Sequence, residues 1–153
     1  MHQTAKGKQW FFGMKAHIGV DSATKLVHTV LASAANVADR DALPYLLHGN
    51  ETRVWGDSAY QGQTDVIHEH APNASDFTNR RCRYKDIVDE VEKAKNRSKS
   101  QVRAKVEHVF GVIKGVFGFR KVRYRGLGKN LNRLETLCAL SNLFMVRRRL
   151  LKP

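Results

Sequence analysis

The stretch Ser98-Lys99-Ser100-Gln101-Val102-Arg103-Ala104-Lys105-Val106-Glu107-His108-Val109-Phe110-Gly111-Val112-Ile113-Lys114 constrains this chain more than any other segment. Val102, Val106, Val109, Phe110, Ile113 and Phe117 recur at helical spacing, the pattern of a helix that buries one face. Arg103, Glu107 and Lys114, spaced i, i+4 and i+11, fall within about 40° of one another on the adjoining face. The lone carboxylate of a very basic segment thus lies at the edge of the core, between two cations. A metal-binding or phosphoryl-transfer carboxylate needs that address, because packing must back it rigidly while it faces a polyanion. The plainer alternative is an i,i+4 ion pair on a surface helix, worth only about 0.2–0.5 kcal/mol.

Charge supports the polyanion. The chain of 153 residues carries a net +13, unevenly distributed. Residues 1–78 hold 6 Lys/Arg against 8 Asp/Glu, residues 79–125 hold 15 against 5, and residues 126–153 hold 6 against 1. The whole excess falls in the second half, the electrostatic footprint of a nucleic-acid partner. No run of 18 apolar residues marks a membrane span, and no basic amphipathic helix stands clear of the core pattern. The N-terminus lacks an apolar signal core. Cys82 and Cys138 form neither a metal-ligand spacing nor a disulfide framework. The expectation is one domain in the cytoplasm, associated with the nucleoid, with no membrane partner.

Gln9–Val20 and Leu26–Ala34 read as strands, joined by the polar link Asp21-Ser22-Ala23-Thr24-Lys25. A turn at Asn36–Asp39 leads to a short helix over Asp41–His48, with Pro44 in its first turn. Thr52–Trp55 is a brief strand ending at Gly56-Asp57-Ser58-Ala59-Tyr60-Gln61-Gly62, and Thr64–His70 a short helix. Residues 71–97 hold Arg80-Arg81-Cys82-Arg83-Tyr84-Lys85 and a mixed-charge stretch, Asp86–Lys95, of helical character. Ser98 and Gln101 form a capping box that opens the main helix, and Gly118 closes it. Phe119–Arg125 alternates cations with apolar residues and reads as extended. Asn132 and Glu135 form a capping box for a last helix, apolar nearly all round from Leu134 to Val146 and hence expected to be buried.

Asp57 follows a strand directly, and the carboxyl ends of strands in α/β sheets are where ligands meet the protein. Its bland role is to cap the helix after it. Together with Glu107 it admits a sharper one, since two-metal phosphoryl-transfer sites gather carboxylates from separate elements. His68-Glu69-His70 lacks further ligands and reads as a solvated helix end. Arg147-Arg148-Arg149 reads as cations favoured by a helix C-terminus.

Gly56-Asp57-Ser58-Ala59-Tyr60-Gln61-Gly62 and Arg103-x3-Glu107-x6-Lys114 resemble the second and third blocks of DDE transposases from bacterial insertion sequences. His2–Gly7, Trp10–Asp21, Val122–Leu127 and Leu140–Leu143 resemble the same family, in the family's order. The resemblance implies a ribonuclease H-like α/β fold, a mixed sheet flanked by helices. It implies Mg²⁺-dependent cleavage and joining of double-stranded DNA at element ends, with Mn²⁺ as a substitute and a homodimer in the DNA complex. Asp57 then matches the second catalytic, metal-binding carboxylate and Glu107 the third, while Arg103 and Lys114 match the basic pair at the phosphates near the cut. Arg120, Lys121, Arg123 and Arg125 are read from charge as further DNA contacts. Two features depart from the family. Ser100 stands where its signature has tyrosine, and its first catalytic Asp lies on a strand upstream of the block matched by Met1–Asp21. The expectation is a partial catalytic domain over 1–153, lacking the first strand and inactive alone, with Asp21 as the one candidate substitute. The rivals are a non-catalytic DNA-binding remnant and an RNA-binding basic protein, which would explain the charge but not the carboxylate pair.

Overall fold

The computed structural model describes residues 2–84 and 87–151, a mixed α/β chain in two compact units, residues 1–38 with 106–153 and residues 39–105. In the first unit β1 (His2–Lys6), β2 (Gln9–Val20) and β3 (Val27–Ala34) form an antiparallel sheet in the order β1-β2-β3. β1 pairs with Gln9–Gly13 and β3 with Met14–Val20, so β2 serves two partners in succession. Alternation puts Met14, Ala16, Ile18 and Val20 on one face. That face packs with Val30 of β3 against Val109, Ile113, Leu134, Leu137 and Cys138. At Gly19, beside the register shift, a Cβ would lie 2.5 Å from the His28 ring, so a side chain there would displace that ring. β1 was not foreseen from the sequence.

The turn at residues 21–25 is built by Asp21. Its Oδ1 accepts from Thr24 N–H at 2.6 Å, Thr24 Oγ1 at 2.7 Å and Ala23 N–H at 3.0 Å. The Thr24 backbone and hydroxyl bonds, with the Ala23 N–H and nearby His28, outweigh slight burial and hold this carboxyl below the usual aspartate range. The Asp21 carboxylate is thereby committed to the hairpin turn.

In the unit 39–105, a 3-10 turn (Asp39–Ala42) runs into α1 (Leu43–Leu46). β4 (Arg53–Val54) pairs in parallel with β5 (Ser75–Asp76), and α2 (Thr64–His70) makes the crossover. Ile67 and Ala71 are fully buried against Leu43, Val54 and Ala74, a second small core. β6 (Arg83–Tyr84) and β7 (Ile87–Val88) pair antiparallel.

Helix boundaries correct three expectations. α3 spans Glu90–Gly115, so Ser98 and Gln101 lie inside it and cap nothing. Its true N-cap is Asp89, whose Oδ1 accepts the Glu92 N–H at 3.0 Å. The regular helix ends at Gly115, yet Gly118 does reverse the chain: its φ is 64°, and Phe119 N–H returns to Ile113 O at 3.1 Å. α4 runs Leu127–Leu150 and begins at Gly126 rather than near Asn132. It is amphipathic: Asn130, Leu134, Leu137, Cys138 and Ser141 are buried, whereas Leu140 and Leu143 are exposed. Among the described residues no helix is long and apolar enough to cross a membrane.

Candidate functional site

In the unit 39–105 the parallel ladder continues past its two strands. Ser75, Phe77 and Asn79 donate to the carbonyls of Thr52, Val54 and Gly56 at 2.8–2.9 Å. Asp57 is the next residue, at the carboxyl end of this strand. Its backbone is extended, and its Oδ1 accepts the Ala59 N–H at 2.8 Å, capping the short turn Ser58–Tyr60. The other oxygen, Oδ2, lies 3.8 Å from Arg103 Nη1, in a half-exposed ion pair. The capping role read from the sequence holds, and the second carboxylate oxygen faces the Arg103 cation.

Gly56 and Tyr60 explain the rest of that block. A Cβ on Gly56 would lie 3.0 Å from Tyr60 Cδ2 and 3.2 Å from Thr78 Cγ2, so glycine lets the ring close over the strand end. Burial, with the charges of Asp39 and Asp57 adding to it, pushes the Tyr60 hydroxyl up to about 12. The hydroxyl therefore stays neutral at neutral pH.

α3 meets this region through side chains that grip the chain before β6. Asn79 Nδ2 donates to Ser100 Oγ at 3.1 Å, and Lys99 Nζ donates to Thr78 O at 3.0 Å. Ser100, the departure from the family signature, is thus a hydrogen-bonding position here.

The remaining predicted residues belong to the unit 1–38 with 106–153. Glu107 is exposed on α3, on the side away from buried Val109 and Ile113. Lys114 is exposed, with Nζ 5.8 Å from the Phe110 ring centroid. Arg120, Lys121, Arg123 and Arg125 are all exposed, while Phe119 and Val122 turn partly inward. Contrary to the sequence reading, this segment joins no sheet among the described residues.

Two residues missed in the sequence hold the basic segment in place. Asn130 is fully buried, and its Nδ2 donates to Tyr124 O and Gly126 O, each at 2.7 Å. The Arg133 guanidinium lies 5.6 Å from both the Phe119 and the Tyr124 ring centroids. Asn142, within the Leu140–Leu143 block, performs a similar task at the sheet edge. Its Nδ2 donates to Val27 O at 2.8 Å and its Oδ1 accepts Val27 N–H at 2.9 Å, tying α4 to β3. A polar residue interrupting an apolar helical face was the available signal for Asn130 and Asn142 alike.

The structure therefore brings Asp57 together with Arg103, while Glu107, Lys114 and the basic segment are placed in the other unit. Among the described residues no group of three or more His, Cys, Asp or Glu side chains is gathered as a metal site. The donors in hand, two carboxylates, are hard oxygen ligands of the kind Mg²⁺ and Mn²⁺ prefer. Carboxylates are the donor chemistry such an ion takes, and two of them fall short of a full two-metal set.

A family model described as the transposase DDE domain matches residues 1–143, nearly the whole chain. The chain belongs to the DDE transposase family, and its role lies in transposition. Members act on DNA and depend in general on divalent metal. No solved structure matches the chain.

Proposed function

We propose that this chain supplies the second and third carboxylates, Asp57 and Glu107, of a metal-dependent site that cleaves and joins DNA at insertion-sequence ends. The domain is read as ribonuclease H-like. The observation that carries this reading is Asp57: in a chain matched to the DDE domain over 1–143, it sits at the carboxyl end of a parallel strand with one oxygen turned to Arg103. Asp57 and Glu107 would hold the divalent ion, Mg²⁺ or in its place Mn²⁺. Held there, such an ion would supply Lewis-acid stabilisation of charge at one of the two reacting oxygens.

The chain's own residues do the rest. Arg103 and Lys114 hold phosphates near the cut by charge-assisted hydrogen bonds. Arg120, Lys121, Arg123 and Arg125 track the duplex backbone, giving salt-dependent and sequence-tolerant binding. The protein works in the cytoplasm at the nucleoid, as a homodimer on DNA. A second reading, a non-catalytic DNA-binding remnant, is favoured by one observation: no three-carboxylate cluster exists among the described residues.

The test is strand cleavage of end-labelled element-end duplexes in Mg²⁺ or Mn²⁺. The 153-residue chain is expected to bind them and leave them uncut, because two carboxylates cannot stabilise both the attacking and leaving oxygens. Fusing in frame a strand that bears the family's first Asp is expected to restore cleavage. Efficient cleavage by the unfused chain would overturn this assignment. Binding without cleavage in the fusion would establish the remnant.

A further inference from the structure

The run Arg80-Arg81-Cys82-Arg83 has no part in the site described above. With Ser58, Asn79 and Asn96 it lines an open groove of about 280 Å³ in the unit 39–105. Side chains clamped to backbone build this groove. Asn96 of α3 takes both backbone groups of Arg80, its Oδ1 accepting the N–H at 3.1 Å and its Nδ2 donating to the carbonyl at 2.6 Å. Gln61 Oε1 accepts the Arg81 N–H at 2.9 Å, and Asp89 N–H donates to Cys82 O at 2.8 Å. These backbone groups are satisfied internally, which leaves the arginine side chains as the charged groups along the groove.

Arg80, Arg81 and Arg83 are exposed, and among the described residues none of them is in an ion pair. No carboxylate and no aromatic ring lines the groove among the described residues. Three neighbouring guanidiniums repel one another until an anion lies between them, and their forks match phosphate oxygens. The absence of a stacking ring disfavours a base and favours the backbone. Ser58, next to Asp57 in the chain, places the groove beside the strand end that carries the carboxylate.

We infer that this groove binds the phosphodiester backbone of a DNA strand, a contact separate from residues 120–125. The inference rests on the DNA reading above. Two thiols make it measurable. Cys82 lines the groove, whereas Cys138 is buried and burial, with Glu135 adding to it, pushes its thiol up to about 11. Alkylation of the native chain by iodoacetamide therefore reports on Cys82.

With a short duplex of random sequence, Cys82 labelling is expected to fall to the Cys138 level at saturation and to recover when salt releases the DNA. In parallel, Arg80→Gln with Arg81→Gln and Arg83→Gln should shrink the log–log salt slope of binding by about 2–3 units. If that variant melts early, protection of Cys82 in the parent chain decides alone. DNA binding with Cys82 still reactive overturns the groove and leaves the DNA reading standing. So does Cys82 protection with an unchanged slope in a well-folded variant. Absence of any DNA binding by the parent chain overturns both.

Discussion

Exchange of Glu107 for Gln is expected to bring to background any metal-dependent cleavage by the chain fused to a strand bearing the family's first Asp, while duplex binding persists. Gln keeps the size and hydrogen-bonding reach of the side chain and loses only the charge that a hard cation requires. Glu107 is exposed, so the substitution should change stability by no more than about 0.5 kcal/mol. Removing a negative charge from an exposed position in a basic stretch leaves affinity for a polyanion unchanged or slightly raised. Asp57→Asn should have the same effect on cleavage for a related reason. Asn caps a turn as well as Asp does, so Ser58–Tyr60 persists while the charge facing Arg103 is lost. Cleavage gels, duplex titrations and thermal melts on both variants check this. Retained cleavage in either variant contradicts a metal-binding role for that carboxylate.

The second large effect concerns the segment between α3 and α4. Replacing Arg120, Lys121, Arg123 and Arg125 together by Gln is expected to cut the log–log salt slope by about 3–4 units, since each phosphate left without its cation lowers it by about 0.9. All four side chains are exposed, and the backbone beneath them is held by Asn130 rather than by the cations themselves. The fold should therefore survive the loss of charge, and a thermal melt verifies that. Duplex titrations from low to moderate salt give the slope. An unchanged slope in a well-folded variant would remove this segment from the DNA track.

The long strands β2 and β3 and the short helix α2 were legible because they obey local rules. β2 alternates, and its bounds, Gln9–Val20, match the expected strand; α2 likewise runs Thr64–His70 as expected. Asp57 was legible as both cap and strand-end carboxylate, since both roles depend on the few residues around it. The start of α3 was not, because two capping signals compete there. Asp89-x-x-Glu92 and Ser98-x-x-Gln101 both fit the box, and residues 90–97 offer no apolar stripe to choose between them. The helix extends to Glu90 with side-chain bonds from Asn96, Lys99 and Ser100 to the chain before β6. Those bonds span about 16 to 21 residues and leave no trace in a periodic pattern. The same holds for Phe119–Arg125. Its alternation imitates a strand, but Asn130, several residues away in α4, supplies the partners that a ladder would have given.

The central claim is that Asp57 and Glu107 serve a single divalent ion, and iron-mediated backbone cleavage reads it most directly. Fe²⁺ takes oxygen-ligand sites of this kind, and with ascorbate and peroxide it breaks the chain only close to where it is bound. In the DNA-bound, fused chain, the account predicts breaks next to Asp57 and next to Glu107. Both sets should be suppressed by excess Mg²⁺ and lost together in Glu107→Gln or in Asp57→Asn. Breaks at only one of the two positions, or breaks that survive either substitution, would contradict a shared ion.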